Sequence, residues 1–329
     1  MWTAATLWLA TLAVGLGYLL VMARSLHSGG SVAAWLLGVP LFYFAGIAVM
    51  TAVYFALAWI FRSPRPPEAR IGLRRTLRLV WREFRTLAGA APRMMLYRRL
   101  VPDRIAAGNG IPVVLVHGVL CNAGVFTRLS RFLAECDVDG VASLSYGPPL
   151  ASIEVFADQL AHKLDAVLAV TGAPQAMIVS HSMGGVVTRA YIRRYGSAKL
   201  ARVLTIGAPH HGSVHAWLFP GTSLAQLRPG NRWLAALASD PLDPTLGFVS
   251  LWSWHDSMIA PQLSSRLDGA IDLPVVGVGH NALLADPQVF ARTLAEIEAA
   301  RAVPAPRAVR APTSRGPQAA AGATSESPG

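Results

Sequence analysis

The stretch Gln175–Tyr195, QAMIVSHSMGGVVTRAYIRRY, carries the strongest indication of how this chain folds. Its first part is apolar and β-rich, whereas the part after Gly185 has helical spacing with its arginines on one side. Ser182 lies between them, in the strand–turn–helix context that a nucleophile elbow requires. The tight turn needs small residues on either side, and Ser180 and Gly184 meet that need. Ser182 is therefore the candidate nucleophile, with a glycine-rich turn after a buried strand as the alternative.

Four further segments flank this stretch and share its alternation of short strands and helices. Ile111–Leu120 reads as a buried strand that is too short and too β-branched for a helix. The others are TIGAPHHGS (205–213), WSWHDSMIAP (252–261) and VGVGHNALLADPQV (276–289).

Taken in this order, VLVHGVL, SHSMGG and the three later segments resemble the lipase and esterase branch of the α/β-hydrolase superfamily. TIGAPHHGS and GVGHNALL especially resemble small bacterial triacylglycerol lipases. The resemblance covers roughly residues 109–301. It implies an α/β-hydrolase fold, with a mostly parallel doubly wound sheet and a small cap, and an ester-cleaving enzyme that uses no cofactor.

The resemblance also implies an oxyanion hole made by the backbone N–H groups of Val119 and Met183. Backbone donors put no demand on side chains, so both residues can be apolar. The approach to the site is expected to be lined by His117, Gly118, His210 and His211. We expect no metal, because a zinc site needs three or four convergent ligands and the adjacent histidines have no cysteine or paired carboxylate nearby.

The general base is expected downstream of Ser182, since triads of this superfamily run Ser, then Asp or Glu, then His. His280 is the downstream histidine that follows a short β run, Leu273–Gly279, and opens into a helix. That helix has Asp286 as its N-cap and Pro287 at its first position. The imidazole would then project from the carboxyl edge of the sheet, where open α/β sheets bind ligands.

Asp256 is the candidate acid because it follows another strand-like run, GFVSLWSWH (247–255), at the same edge. Its task would be to fix the histidine tautomer and stabilise the imidazolium. The competing acids are Asp240, Asp243, Asp268 and Asp272.

Residues 214–247 break into short apolar pieces separated by Pro and Gly, which predicts a small cap over the site. The cap either supplies an apolar acyl pocket or merely packs onto the body through Trp217, Trp233 and Leu237.

Two uncharged apolar runs, Trp2–Met22 and Val32–Phe61, are each long enough to cross a bilayer, which takes about 20 apolar residues. They predict a transmembrane hairpin over residues 1–62. A cleaved signal peptide is the alternative for the first run. However, the run has no positively charged residues at its start, and its apolar stretch is longer than that of a typical signal peptide.

A basic segment follows over residues 63–108, where eleven arginines, preceded by Arg62, stand against Glu68, Glu83 and Asp103. Because positive residues next to a span favour the cytoplasmic side, we expect an inner-membrane, multi-pass protein with its catalytic domain in the cytoplasm. This segment explains most of the net charge of +11, so nucleic-acid binding is not expected. Its helix either lies on anionic lipid or docks on the body; the apolar positions are Leu73, Leu77, Val80, Phe84 and Leu87.

The sequence therefore predicts a membrane-anchored serine hydrolase of lipid or small carboxylic esters, with its catalytic domain over 109–301 and a disordered tail over 302–329. The alternatives are a thioesterase or acyltransferase on the same triad and a non-catalytic membrane scaffold. Cys121 and Cys136 provide no disulfide framework. The natural substrate and the oligomeric state do not follow from the sequence.

Overall fold

The β-rich run before Ser182 forms one of the inner strands of a parallel sheet. The computed structural model describes residues 2–108 and 110–302. Within these residues, the sheet strands are β1 (Val113–Val116), β2 (Val141–Leu144), β3 (Ala176–His181), β4 (Leu200–Ile206), β5 (Gly247–Ser253) and β6 (Ile271–Val275). All neighbouring strands are parallel, in the order β2-β1-β3-β4-β5-β6.

Helices cover both faces of this sheet. They are α6 (Thr127–Glu135), α7 (Ile153–Thr171), α8 (Met183–Tyr195) and α11 (Pro287–Ala302). Successive side chains of a strand point to opposite faces; accordingly, Val114 packs with α7 and α8, whereas Leu115 packs with α6 and α11. The predicted doubly wound, parallel α/β sheet is confirmed.

The carboxyl ends of the strands meet at one edge, where the predicted site residues leave the sheet. Ser180 of β3 pairs with Val116 of β1 and Thr205 of β4. His117 directly follows β1 and Ser182 directly follows β3, while Asp256 lies in the loop shortly after β5. Strand order and direction therefore gather residues that are far apart in the chain.

Two long helices, α1 (Trp2–His27) and α2 (Val32–Ile60), precede this body. Both pass length and composition criteria for a membrane span, with mean hydropathies of 1.9 and 2.1. Most of their side chains are exposed, and Phe42 reaches 80% exposure. The pair contacts the body at a few polar positions, including Thr3 Oγ1, which donates to the Cys121 carbonyl (2.9 Å), and the Tyr54 carbonyl, which lies 3.2 Å from His215 Nε2.

A 3₁₀ turn (Pro67–Ala69) and three shorter α-helices lie between this hairpin and β1: α3 (Leu73–Ala88), α4 (Ala90–Met95) and α5 (Tyr97–Leu100). Helix α3 docks on the body through Leu79, Glu83 and Thr86, which are buried. Its predicted apolar face is a different one, and there Leu73 and Leu77 remain exposed. The helix therefore uses one face to dock and leaves part of another uncovered.

Residues 214–247 contain short helices only, namely a 3₁₀ turn (Val214–Trp217), α9 (Thr222–Gln226) and α10 (Arg232–Ala238). Leu237 is buried in the core on the α7 and α8 side, whereas Trp217 is mostly exposed. The tail predicted for 302–329 lies outside the described residues, apart from Ala302, at which α11 ends.

Candidate active site

Ser182 occupies the turn between β3 and α8 with a backbone conformation that L-residues rarely adopt, φ 57° and ψ −131°. Such strain persists only where the surroundings enforce it. Its amide donates to the Ile206 carbonyl (2.9 Å). A Cβ on Gly184 would lie 2.4 Å from the Val116 carbonyl oxygen, so only glycine fits there. Ser180, which stands at the first small position of the motif, bonds the Leu204 carbonyl through its hydroxyl (3.4 Å).

Asp256 and His280 form a buried pair at the same edge of the sheet. His280 Nδ1 lies 2.9 Å from Asp256 Oδ2, and the other carboxylate oxygen accepts the amides of Met258 (2.8 Å) and Ile259 (2.7 Å). The carboxylate is therefore fixed by its own loop while it holds the imidazole. This leaves Nε2 as the ring atom free to accept a proton.

The Asp256–His280 pair lies close to Ser182, because residues next to the serine contact His280. The ring of His181 packs against that of His280, with centroids 4.7 Å apart and the ring planes tilted by 40°. A Cβ on Gly207, next to the Ile206 carbonyl that holds the Ser182 amide, would lie 3.4 Å from His280 Nδ1. Among the described residues, neither Ser182 Oγ nor His280 Nε2 has a hydrogen-bond partner. Such catalytic hydrogen bonds are often long in the absence of substrate.

Opposing influences set the pKa of His280. Burial alone lowers it, but the charge and hydrogen bond of Asp256, helped by the charge of Glu83, outweigh burial and leave the pKa above the ordinary value. By contrast, burial and the neighbouring His280 hold the pKa of His181 well below the ordinary value. Of these two adjacent imidazoles, His280 is the one suited to exchange protons near neutral pH.

The other four candidate carboxylates contact different residues or lie elsewhere in the fold. Asp272 lies within β6 and accepts from Trp252 Nε1 (2.6 Å). Asp243 accepts from Ser197 Oγ (2.6 Å), and Asp240 lies 3.2 Å from Arg193. Asp268 lies in the turn before β6. Of the five acids considered, Asp256 has its carboxylate against His280.

The backbone amides of Val119 and Met183 flank the serine and have no acceptor in the described part of the chain. His117 fixes the direction of the first amide: its Nδ1 contacts the Gly118 carbonyl (2.8 Å), while its Nε2 accepts from Tyr146 N (3.3 Å). Because N–H and C=O point in opposite directions across a trans peptide, this contact turns the Val119 N–H away from His117. Burial lowers the pKa of His117 to about 4, so the ring stays neutral.

An apolar cavity of about 220 Å³ adjoins Ser182. Its walls include Tyr54 of α2 with Leu87 and Met94, the loop at 119–121, and the segment containing Leu218–Leu227. A larger cleft of about 520 Å³ between α2 and α3 reaches Asp256 but not Ser182. The smaller cavity is therefore the one from which a ligand would meet the serine.

The residues predicted to line the approach lie around this cavity rather than in its walls. His210 is buried, with Nε2 3.2 Å from Thr205 Oγ1, and His211 lies against the Ser264 carbonyl (3.3 Å). Neighbours of the pair, Pro209 and Ser213, line the cavity instead. Gly118 packs directly behind the serine.

Sequence reasoning did not assign three residues that the structure places at the site. His215 and Tyr54 line the cavity and meet through His215 Nε2 and the Tyr54 carbonyl (3.2 Å). Glu83, from the arginine-rich α3, is fully buried beside the loop that carries His280. Only its position as a lone acid in a basic helix distinguishes Glu83 in the sequence. Among the described residues, no group of three or more His, Cys, Asp or Glu side chains is placed to hold a metal ion.

Comparisons with known proteins give partial sequence matches to lipases and to a thioesterase family. Residues 112–235 match the family model for palmitoyl protein thioesterase. The chain is 30% identical over 118 residues to a triacylglycerol lipase of Pseudarthrobacter phenanthrenivorans, covering 33% of this chain and 36% of that protein. It is 31% identical over 140 residues to a triacylglycerol lipase of Burkholderia plantarii, covering 40% and 38%. The matches thus span little more than a third of the length of either relative.

The fold is also that of a known structure. The mature Bacillus licheniformis lipase BlEst2 superposes with a TM-score of 0.52 at 17% identity, covering 60% of this chain and 95% of that one. This similarity confirms the α/β-hydrolase fold for the body that carries Ser182.

Proposed function

We propose that this chain is a serine hydrolase of carboxylic esters, because its partial sequence matches and its fold resemble the lipase- and esterase-like part of the α/β-hydrolase superfamily. The observation that carries this proposal is the strained turn at Ser182 beside the buried Asp256–His280 pair. A serine hydroxyl is a weak nucleophile until a neighbouring base removes its proton.

In the proposed reaction, Ser182 Oγ attacks the ester carbonyl while His280 Nε2 takes its proton. Asp256 Oδ2, which holds Nδ1–H at 2.9 Å, keeps the tautomer that leaves Nε2 free. The imidazolium then gives the proton to the departing alcohol, and an acyl-enzyme remains on Ser182. Water, activated by the same histidine, releases the acid.

The amides of Val119 and Met183 are proposed to bind the oxyanion of each tetrahedral intermediate. Fixed donors aimed at that charge are worth about 3–4 kcal/mol each when removed in other hydrolases. The contact of His117 with the Gly118 carbonyl (2.8 Å) supports this role, because it sets the direction of the Val119 amide before substrate arrives.

The cavity beside Ser182 is proposed to take the acyl chain. Its lining includes leucines and a phenylalanine from the predicted cap, together with residues of α2, α3, α4 and the 119–121 loop. Burial lowers the reactivity of its one thiol: the pKa of Cys121 is raised to about 12, so this side chain acts as an apolar wall. An ester with an apolar acyl group fits such a lining.

We further propose that residues 1–62 anchor the enzyme in a membrane as a hairpin, with 63–108 as a basic juxtamembrane segment and 109–301 as the catalytic domain in the cytoplasm. Large apolar side chains exposed along α1 and α2 support anchoring, since such surfaces are unfavourable in water. Tyr54 of α2 belongs to the cavity wall, so the anchor and the acyl pocket would be contiguous. Membrane lipid esters are the substrates that this arrangement favours.

A second candidate is a thioesterase, and one observation favours it: the family model that matches 112–235 is that of palmitoyl protein thioesterase. The same nucleophile, base and oxyanion donors serve an ester and a thioester. The leaving group, rather than the triad, would distinguish the two activities.

The test uses the full chain purified in detergent and labelled with a fluorophosphonate probe. Labelling is expected in the parent and in Ser180→Ala, a matched control in the same strand, and is expected to be lost in Ser182→Ala. Absence of labelling in the parent, or persistence in Ser182→Ala, would refute the serine mechanism. Matched ester and thioester substrates with the same acyl chain, in a graded length series, then identify the preferred class.

A further inference from the structure

Glu83 is a fully buried carboxylate on the docking face of α3. Its Oε1 accepts from Ser257 Oγ (2.7 Å), Asn281 N (2.9 Å) and Asn281 Nδ2 (2.9 Å), and its Oε2 accepts from Ala282 N (2.9 Å). A carboxylate has about four acceptor positions, and here donors occupy that number. No Lys, Arg or His of the described residues forms an ion pair with it. Hydrogen bonds alone therefore hold this charge in the interior.

These bonds join the two loops that carry the candidate acid and base. Ser257 follows Asp256 directly, and Asn281 follows His280 directly. His280 is part of the same hydrogen-bond network. Its backbone N donates to Ser257 Oγ (3.3 Å), and that hydroxyl in turn donates to Glu83. Glu83 thus fixes the backbone on either side of the Asp256–His280 contact.

The histidine loop is shaped to admit this carboxylate. A Cβ on Gly279 would lie 2.6 Å from Glu83 Oε2, so the absence of a side chain before His280 makes room for it. At the other end of the loop, Arg82 of the same helix pairs with Asp286 (2.6 Å). Two successive residues of α3 therefore hold the segment from His280 to Asp286 at both ends.

We propose that Glu83 is a positioning residue for His280, and that it makes catalysis depend on the docking of the juxtamembrane helix α3 against the body. This inference rests on the proposed function, in which His280 is the base. Because α3 is the next α-helix after the anchor helix α2, the geometry of the base is set by the same segment that would lie at the membrane.

Glu83 also acts on His280 through its charge. The titratable groups that face His280 are Asp256 on the acid loop, Glu83 on α3, His181 at the end of β3 and His215 near the cavity. The two carboxylates raise the pKa of His280 against the effect of burial. Loss of the Glu83 charge should therefore lower the pKa of His280. If Glu83 served only to support the loop mechanically, its replacement would leave that pKa unchanged.

The experiment compares Glu83→Gln with Glu68→Gln, which changes an exposed acid of the same basic segment. In Glu83→Gln we expect kcat to fall roughly tenfold to a hundredfold, as for other residues that orient a catalytic side chain, with KM within about twofold. The acidic limb of kcat/KM should move to lower pH. Hydrogen exchange at the amides of Asn281 and Ala282 should accelerate. Glu68→Gln should match the parent in every measurement.

Two further variants keep the proposal testable if Glu83→Gln does not fold. Ser257→Ala removes the hydroxyl between Glu83 and His280 N, and Gly279→Ala places a methyl group against Glu83 Oε2. Both should lower kcat more than they raise KM and should loosen the 281–282 amides. Unchanged kcat and unchanged exchange in the folded variants would overturn the role of Glu83.

The exchange measurement needs no turnover, so it separates this inference from the proposed function. A parent without hydrolase activity or probe labelling would refute the function, while protection of Asn281 and Ala282 by Glu83 would still be measured. Full activity in the parent with no effect of Glu83→Gln on kcat, pH profile or exchange would refute the positioning role alone.

Discussion

Gly118 lies so close to Ser182 that a Cβ on Gly118 would be 2.7 Å from the serine Cβ and 3.2 Å from its Oγ. The backbone of the proposed oxyanion loop therefore packs directly against the side chain of the proposed nucleophile. Any side chain at position 118 must displace the hydroxyl or the loop that carries the Val119 amide.

The first prediction is that Gly118→Ala lowers kcat by about tenfold or more, because displacement of one oxyanion donor costs on the order of 10²-fold or more in other hydrolases. Gly72→Ala is the matched control, since a Cβ there meets nothing within 4 Å. Initial rates on a short-chain ester, with circular dichroism to verify folding, measure the effect. Equal rates in the two variants would contradict the packing argument.

A second prediction concerns the acid. Asp256→Asn keeps an oxygen for the Met258 and Ile259 amides but presents NH₂ to His280, which favours the wrong tautomer. We expect kcat to fall on the order of 10⁴-fold, as in the precedent for such a change. Asp272→Asn, whose partner is Trp252 Nε1, should be mild. A severe loss in Asp272→Asn with a mild one in Asp256→Asn would reassign the acid.

The third prediction is a pH dependence. The base must be neutral to accept the serine proton, and the pKa of His280 is raised by Asp256 and Glu83 beyond what burial removes. Activity should therefore rise with pH through a midpoint above the ordinary histidine value of about 6.5. Removing either carboxylate should shift this midpoint downward. A profile of kcat/KM across the neutral range is the measurement, and a midpoint well below the ordinary value would oppose it.

A fourth prediction tests the acyl pocket. Leu224 lines the cavity beside Ser182, so Leu224→Trp should fill it. The ratio of kcat/KM for long-chain over short-chain esters should fall about tenfold, since small changes in an apolar pocket are worth that order of discrimination. Val155→Trp, at an exposed site on α7, is the control. An unchanged chain-length profile would place the acyl chain elsewhere.

The last prediction is the topology. A reporter active only in the cytoplasm should be active when fused after Arg104, and an export-dependent reporter should be active only in the turn near Ser28, between α1 and α2. Moving the arginines of 63–108 across a bilayer would cost about 2.5–3.5 kcal/mol each on the insertion scale. The opposite pattern, or cleavage after α1 by signal peptidase, would overturn the cytoplasmic assignment.

Sequence patterns were sufficient for the elements of the body. Alternating apolar runs and helical spacing predicted the parallel sheet and the turn at Ser182, and Asp286 with Pro287 predicted the start of the last helix. Asp286 indeed accepts from Gln288 N (2.9 Å) where α11 begins. Such signals are local, because caps, turns and strand periodicity depend on neighbouring residues.

The sequence alone therefore determined the fold class, the candidate nucleophile and the candidate base, all of which follow from short-range patterns. Which of five acids meets His280 was decided by strand order in the tertiary structure. The position of Glu83 was likewise decided by the tertiary structure, since its contact with Asn281 spans 198 positions in the chain. A glutamate in an arginine-rich helix looks solvated until the docking face of that helix is known. Contacts between distant segments depend on how whole helices and strands pack, and the local sequence around Glu83 does not predict that packing.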